Sequence, residues 1–432
     1  MAPLEEYEHD DEPAATPGYR TYEVYQRERV GETTNLIKPR QLISNEYLDN
    51  PYPLLETLRE NYPCYRDWLN NRFWLTRYDD VTSVFVDDRN FETRPKSWCV
   101  SMGDSGISFW NDIEVQKQYE SLVDTRIHDV VGEVLDSFSG NRINLATEFC
   151  ARVPLLLFAK VVGIPANNQN EFISLYWESL LAKAWDPIQK QRGMLALIQI
   201  EKLLAGICDV RRDTPKDDLI SAILLNVNLD REVTTQDLLL TLFDIDQETL
   251  IGGLANLWFN LLTTETEMEK VTEDKRLLKF AWLETLRHSP PVLSAERFAK
   301  YEVERFGRLI PQGGLVMCSA AGANRDPRQF NNPNEFIVGR KDLCQREPRG
   351  QYRADGLPSG IAFSLGRPSV HPAVPKERSR SLYAIVRDSA VTASEMFLDS
   401  YSSAKLVEGA EPKLKSLYLK GIYSCWELDT EI

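Results

Sequence analysis

The chain has 432 residues, 43% of them apolar and 27% charged, the balance of a globular protein with room for one large domain or two to three ordinary ones. Its formal net charge is −15, which repels phosphate backbones and anionic lipid, so neither nucleic acid nor a membrane surface is an expected partner. The seven cysteines are scattered and never form a CxxC pair; that fits no disulfide framework and no zinc site, and it points to a reducing cytoplasm.

Residues 1 to about 35 are acidic and Pro-containing, with no basic n-region and no apolar h-region. They read as a disordered leader rather than a signal peptide. No uninterrupted apolar run reaches the length of about 18 residues that a spanning helix needs. From residue 36 to 432 no long linker and no internal repeat interrupts the chain, so a single domain is expected.

Tyr52 to Tyr62 has helical spacing and ends at Pro63, and Arg72 to Arg77 is aromatic enough for a short strand. A helix restarts over Tyr78 to Phe85 with Asp79 or Asp80 as a cap. The middle, Tyr119 to Glu284, is mostly helix. Leu155 to Val162 is an apolar run closed by Gly163-Ile-Pro165, and Leu195 to Cys208 and Leu219 to Leu225 keep three- and four-residue spacing. A capped helix then runs unbroken through Leu238 to about Leu262. After Pro290 strands and turns take over at Tyr301 to Gly307, Gly313 to Cys318 and Ser416 to Leu419, with a last helix over about Arg387 to Ser400. Phosphate loops, zincin motifs and a serine nucleophile elbow are absent.

Four segments stand out in order. Arg211 to Ala222 leads towards the central helix. Glu284-Thr-Leu-Arg287 precedes Ser289-Pro-Pro291, Asn324-Arg-Asp-Pro327 comes some forty residues later, and Phe363-x-x-Gly366 follows at a similar interval. This series resembles the cytochrome P-450 family over roughly residues 40 to 430. The resemblance implies a mainly α fold with small β-sheets (α+β) around a long central helix. Glu284 and Arg287, at i and i+3, share a helix face and can make a charge-assisted pair. The resemblance implies that this pair joins an arginine of the next loop, Arg325 or Arg340. Glu284, Arg287, Asn324, Arg325, Phe363 and Gly366 are accordingly structural candidates.

The haem-ligand pattern of that family, Phe-Gly-x-Gly-x-His-x-Cys-x-Gly, places Val370 in the cysteine slot, Pro368 in the histidine slot and Pro372 in the last glycine slot. Counting back from Arg387 instead puts the ligand position at Arg380. Neither count meets a cysteine, and none lies between Cys344 and Cys425. The segment within Gly103 to Glu120, where the family carries propionate-binding His and Arg, offers only Lys117, which leaves Arg297 as the propionate candidate. Ile245 and Asp246 replace the family's small Ala-Gly step and fill its oxygen site. Glu248 and Thr249 keep its acid–alcohol pair and are the catalytic candidates for proton delivery.

These departures predict a P-450-fold protein without thiolate–haem monooxygenase activity, needing no cofactor and no metal. It would be a haem-free accessory of a biosynthetic enzyme in secondary metabolism, for example a glycosyltransferase activator, or a protein that binds a small apolar ligand. The alternative is a haem b protein with His371 as axial ligand and Arg297 at a propionate, oxidising, peroxidising or isomerising a small apolar substrate. A non-haem enzyme using Asp246 and Glu248 is the weakest reading, because residues two apart on a helix face different ways.

Overall fold

The computed structural model describes residues 36–85, 87, 89–93, 106–183, 187–226, 230–245, 247–343, 380, 382–416 and 422–432. Helices α1 (Asn45–Asp49) and α2 (Tyr52–Asn61) precede strands β1 (Tyr65–Asp67) and β2 (Arg72–Leu75), and α3 (Tyr78–Phe85) leads to β3 (Phe91–Glu92). The helical middle opens with α4 (Ile113–Asp136), β4 (Arg142–Asn144), α5 (Arg152–Val162), α6 (Gln169–Ser179) and α7 (Pro187–Asp213). It continues through α8 (Leu219–Asn226), α9 (Thr235–Asp244), α10 (Gln247–Thr263), α11 (Glu265–Glu273) and α12 (Leu278–His288). Next come β5 (Ser294–Ala299), β6 (Val303–Arg305), β7 (Arg308–Ile310), β8 (Leu315–Ser319) and α13 (Ala320–Ala323). After α14 (Leu382–Ser400) the chain closes with β9 (Lys405–Leu406), β10 (Leu414–Ser416), β11 (Tyr423–Cys425) and β12 (Asp429–Glu431). The expected architecture, mainly α with small sheets, is the observed one.

These elements form two compact units. The first takes the described residues up to 93, Leu286–Phe336 and those from Arg340 onward to 343; the second takes the rest. In the first unit five strands run in the order β1-β2-β8-β5-β3, with β2 and β8 parallel and the other neighbours antiparallel. All four residues of β2 are buried, as a strand covered on both faces requires, which is why its sequence is a run rather than an alternation. Ile37, Leu42, Tyr47, Leu55, Leu58 and Trp74 close a core between α1, α2 and this sheet. The strand expected over Tyr301 to Gly307 becomes the hairpin β6–β7. Phe306 and Gly307 turn it at positive φ, 57° and 74°.

In the second unit α4 packs on α5, α8 and α14, and α10 lies against α5, α14 and β11. Gly163 ends α5 at φ 101°, and a Cβ there would stand 2.4 Å from the Asp218 carboxylate. That carboxylate is held by Arg211 at 2.6 Å in a buried pair, and Arg211 also donates to Gly163 O. Asn256 of α10 completes the edge of β11: its amide donates to Tyr423 O at 2.9 Å and accepts from Cys425 N at 3.2 Å. Gly253 lets the Trp282 ring of α12 pass, since a Cβ would meet it at 2.5 Å.

Candidate functional site

The long helix expected through Leu238 to Leu262 is two helices. Asp244, Ile245 and Asp246 are weak helix formers, and Ile245 adopts an extended backbone (φ −79°, ψ 122°) that ends α9. Gln247 N–H donates to Ile245 O, and α10 restarts at Gln247, whose side chain donates to Tyr119 Oη at 3.1 Å. Asp246 lies outside the described residues. On the new first turn Thr249 is fully buried and Glu248 half-buried, so the acid–alcohol pair spans the step from solvent to interior.

The start of this helix pair is pinned by a residue that the sequence reading did not single out. Asp237 is buried and accepts from both terminal nitrogens of Arg231, from Thr234 N and from Ile107 N at 2.7 Å. Burial alone would raise its pKa; the Arg231 guanidinium and the backbone donors outweigh that and hold it at about 2. Thr241 Oγ1 accepts from Phe109 N, so residues 107–109 are laced onto α9. The available signal was Thr234-x-x-Asp237, a capping box at the start of α9.

The motif residues fall into place unit by unit. In the first unit Arg287, fully buried, donates to the carbonyls of Asn324, Pro333 and Glu335 at 2.8–2.9 Å and sits over the Phe330 ring. The Asn324 side chain donates back to Leu286 O at 3.1 Å. Of the two arginines proposed to join this network, Arg340 shares the Phe330 ring with Arg287, whereas Arg325 turns to His288 O and stacks on Tyr52. His288 is held well below the usual imidazole range by burial and then by the charges of Arg325 and Arg287, so it is neutral. In the second unit Glu284, fully buried, accepts from Ile337 N at 3.1 Å.

Arg380, the ligand position of one count, is bound by carboxylates. It donates to Glu120 at 2.7 Å, Asp124 at 2.5 Å and Asp388 at 2.7 Å, and Asp388 also accepts from Arg387. A guanidinium has no lone pair for iron, so this residue ties α4 to the start of α14 instead. Lys117 pairs with Glu114 in the same helix. Phe363, Gly366, Val370 and His371 lie outside the described residues.

Haem is the group this fold implies, and the described residues fit it in one place. Arg297 on β5 is buried, with its guanidinium over the Phe85 ring at 4.5 Å, a desolvated cation suited to a propionate. Four of the described cysteines are buried thiols in the folded chain. Burial pushes Cys208 and Cys425 up to about 11 and Cys318 up to about 12, and it raises Cys150 well above its ordinary value.

The fold defines a class: a helical body with small sheets, two-helix central element and arginine-locked loop. The family model Cytochrome P-450 matches residues 268–345, the stretch that holds Glu284, Arg287 and Asn324. The polyketide biosynthesis cytochrome P-450 PksS of Bacillus subtilis (strain 168) is 25% identical over 359 residues, covering 75% of this chain and 85% of that protein. Among solved structures, ligand-free cytochrome P-450 TbtJ1 superposes with a TM-score of 0.70 at 19% identity, covering 90% of this chain and 98% of its own. P-450BioI, solved in complex with an acyl carrier protein bearing hexadec-9Z-enoic acid, gives 0.69 at 20%, covering 90% and 99%. The chain is similar to cytochromes P-450 in sequence over most of its length and in fold over 90% of it.

This similarity corrects one expectation. The sequence departures predicted a protein needing no cofactor; its relatives are cytochromes P-450, which are haem proteins, and they point to haem. Among the described residues no helix is long and apolar enough to cross a membrane.

Proposed function

We propose that the protein is a haem-binding oxidoreductase of secondary metabolism that works in the cytoplasm on a small apolar molecule, with His371 in place of a cysteine as axial ligand. The observation that carries this is the absence of any cysteine between Cys344 and Cys425 in a chain that otherwise keeps the superfamily fold over 90% of its length. Haem, when bound, supplies a redox-active iron to the pocket. The chain's own residues do the rest. Arg297 neutralises a propionate, His371 offers an imidazole lone pair, and the half-buried Glu248 passes protons inward to the Thr249 hydroxyl. The test is a visible spectrum of protein expressed with ample haem. Wild type takes up one haem per chain with a Soret band, and His371→Ala loses or shifts it. Wild type without a Soret band overturns the haem reading; equal uptake and identical spectra overturn the ligand.

A second reading, favoured by the same missing thiol, makes this body a partner that activates a biosynthetic enzyme such as a glycosyltransferase. The acyl carrier protein held by P-450BioI is the precedent for a protein partner on this fold. An activator leaves its partner's turnover unchanged in the Glu248→Gln and Thr249→Ala variants; an oxidoreductase loses its own turnover in both.

A further inference from the structure

We propose that α7 is a pairing surface on which a second copy of this chain docks antiparallel, in a two-fold contact. α7 runs 27 residues, about 40 Å, and its inner face is filled by Gly193, Ala196, Leu197, Ile200, Leu204 and Ile207. A helix packed on one side is expected to be polar on the other. This one is not: Ile188 is 71% exposed, Leu195 51%, Ile198 49% and Val210 56%. Steps of seven and three residues set Ile188, Leu195 and Ile198 in one line along the helix, the spacing of a two-helix seam. Single exposed aliphatics are ordinary, but a line of them on one helix marks an interaction surface. Gly206 is exposed on the same face, and a Cβ there would meet nothing within 4 Å, which leaves a flat place for a facing helix.

The charges beside the seam select the occupant. Lys190 and Glu201 are eleven residues apart, about three turns, so they share one flank of the helix with Leu195 between them. Among the described residues neither has an ionic partner, whereas Arg192 pairs with Glu178 and Asp209 with Arg212. A second α7 laid antiparallel, with Leu195 at the two-fold axis, brings each Lys190 opposite Glu201 of the other copy and satisfies both. A parallel arrangement would set lysine against lysine and glutamate against glutamate.

Net charge agrees with this choice. At −15 two copies repel at long range, yet residues 187–202 carry Lys190, Arg192 and Lys202 against Glu201 alone, so the copies meet here without opposed carboxylates. The same −15 makes an anionic lipid surface a poor occupant of the stripe. A two-fold contact uses the same patch on both copies, so it closes at a dimer rather than growing into a filament.

The experiment is sedimentation velocity of the full chain across a concentration series, with circular dichroism of each variant to confirm folding. Wild type is expected to pass from monomer to dimer with a dissociation constant of roughly ten micromolar, the weak end that a small interface supports. Leu195→Asp sets two carboxylates at the axis and leaves monomer throughout the series. Lys190→Glu and Glu201→Lys each weaken the dimer about tenfold, and the double variant carrying both restores it. All three positions lie outside the core, so the variants keep the fold. Wild type that stays monomeric, including one that instead floats with anionic vesicles, would overturn the proposal. A dimer untouched by Leu195→Asp, or a double variant no tighter than the single ones, would overturn it too.

Discussion

Arg287 and Arg380 solve the same problem, holding a cation in a folded protein, in opposite ways. Arg287 is wholly buried and bonded to neutral carbonyls of Asn324, Pro333 and Glu335. Arg380 is about one-third exposed and bonded to three carboxylates of α4 and α14. The three carbonyl bonds of Arg287 carry no opposing charge for salt to screen, whereas the three bonds of Arg380 are ion pairs that salt does screen. The lesson is that the family motif marks the residue whose partners are fixed by backbone, while the cluster that has no motif is the one conditions can loosen.

The largest effect expected from this contrast is at Arg287. Arg287→Leu empties a fully buried cation site and takes the donor from the carbonyls of Asn324, Pro333 and Glu335, a loss of about 4 kcal/mol or more, and chemical denaturation will show either that drop or no folded protein. A loss below about 1 kcal/mol would mean the carbonyls find other donors. At Arg380 the cost is smaller. Arg380→Gln should lose about 1–2 kcal/mol at low salt, and the difference from wild type should shrink as sodium chloride is raised. A salt-independent loss would make packing, not charge, the source.

Next comes the pH dependence of His288. Its folded-state pKa is depressed by burial and then by Arg325 and Arg287, against an ordinary value near 6.5. Neutral in the folded state, it contributes stability that is present above about pH 6.5 and lost as pH falls towards the folded pKa. The melting temperature of wild type should therefore fall below pH 6.5 more steeply than that of His288→Gln, and superimposable profiles would remove His288 as a cause. The smallest effect is at Arg276, whose pair with Asp274 is 90% exposed on the arginine side. Arg276→Ala should melt with wild type, and a clear shift would show that exposed pairs count for more here than the contrast allows.

How much of this the sequence disclosed depends on how local the cause is. Tyr52–Asn61 and Arg152–Val162 are helices whose period and stop signals, Pro63 and Gly163, sit within a few residues of each other. Glu284-x-x-Arg287 and Asn324-Arg-Asp-Pro327 were legible because one helix and one loop carry them. The Arg380 cluster was not: Glu120 and Asp124 lie 260 and 256 residues away, and no local pattern links them. The break at Ile245 was hidden too, since apolar periodicity runs through it and only an extended backbone at one residue separates α9 from α10. Cofactor was the misreading. The vacant ligand slot and the other departures from the family pattern were given more weight than the whole fold around them.

The most direct test of the central claim, haem held without a cysteine, is the spectrum of the reduced protein under carbon monoxide. The account predicts a haem–CO band without the thiolate family's red shift in wild type, and loss of that band in His371→Ala. A red-shifted band that persists in His371→Ala would contradict it.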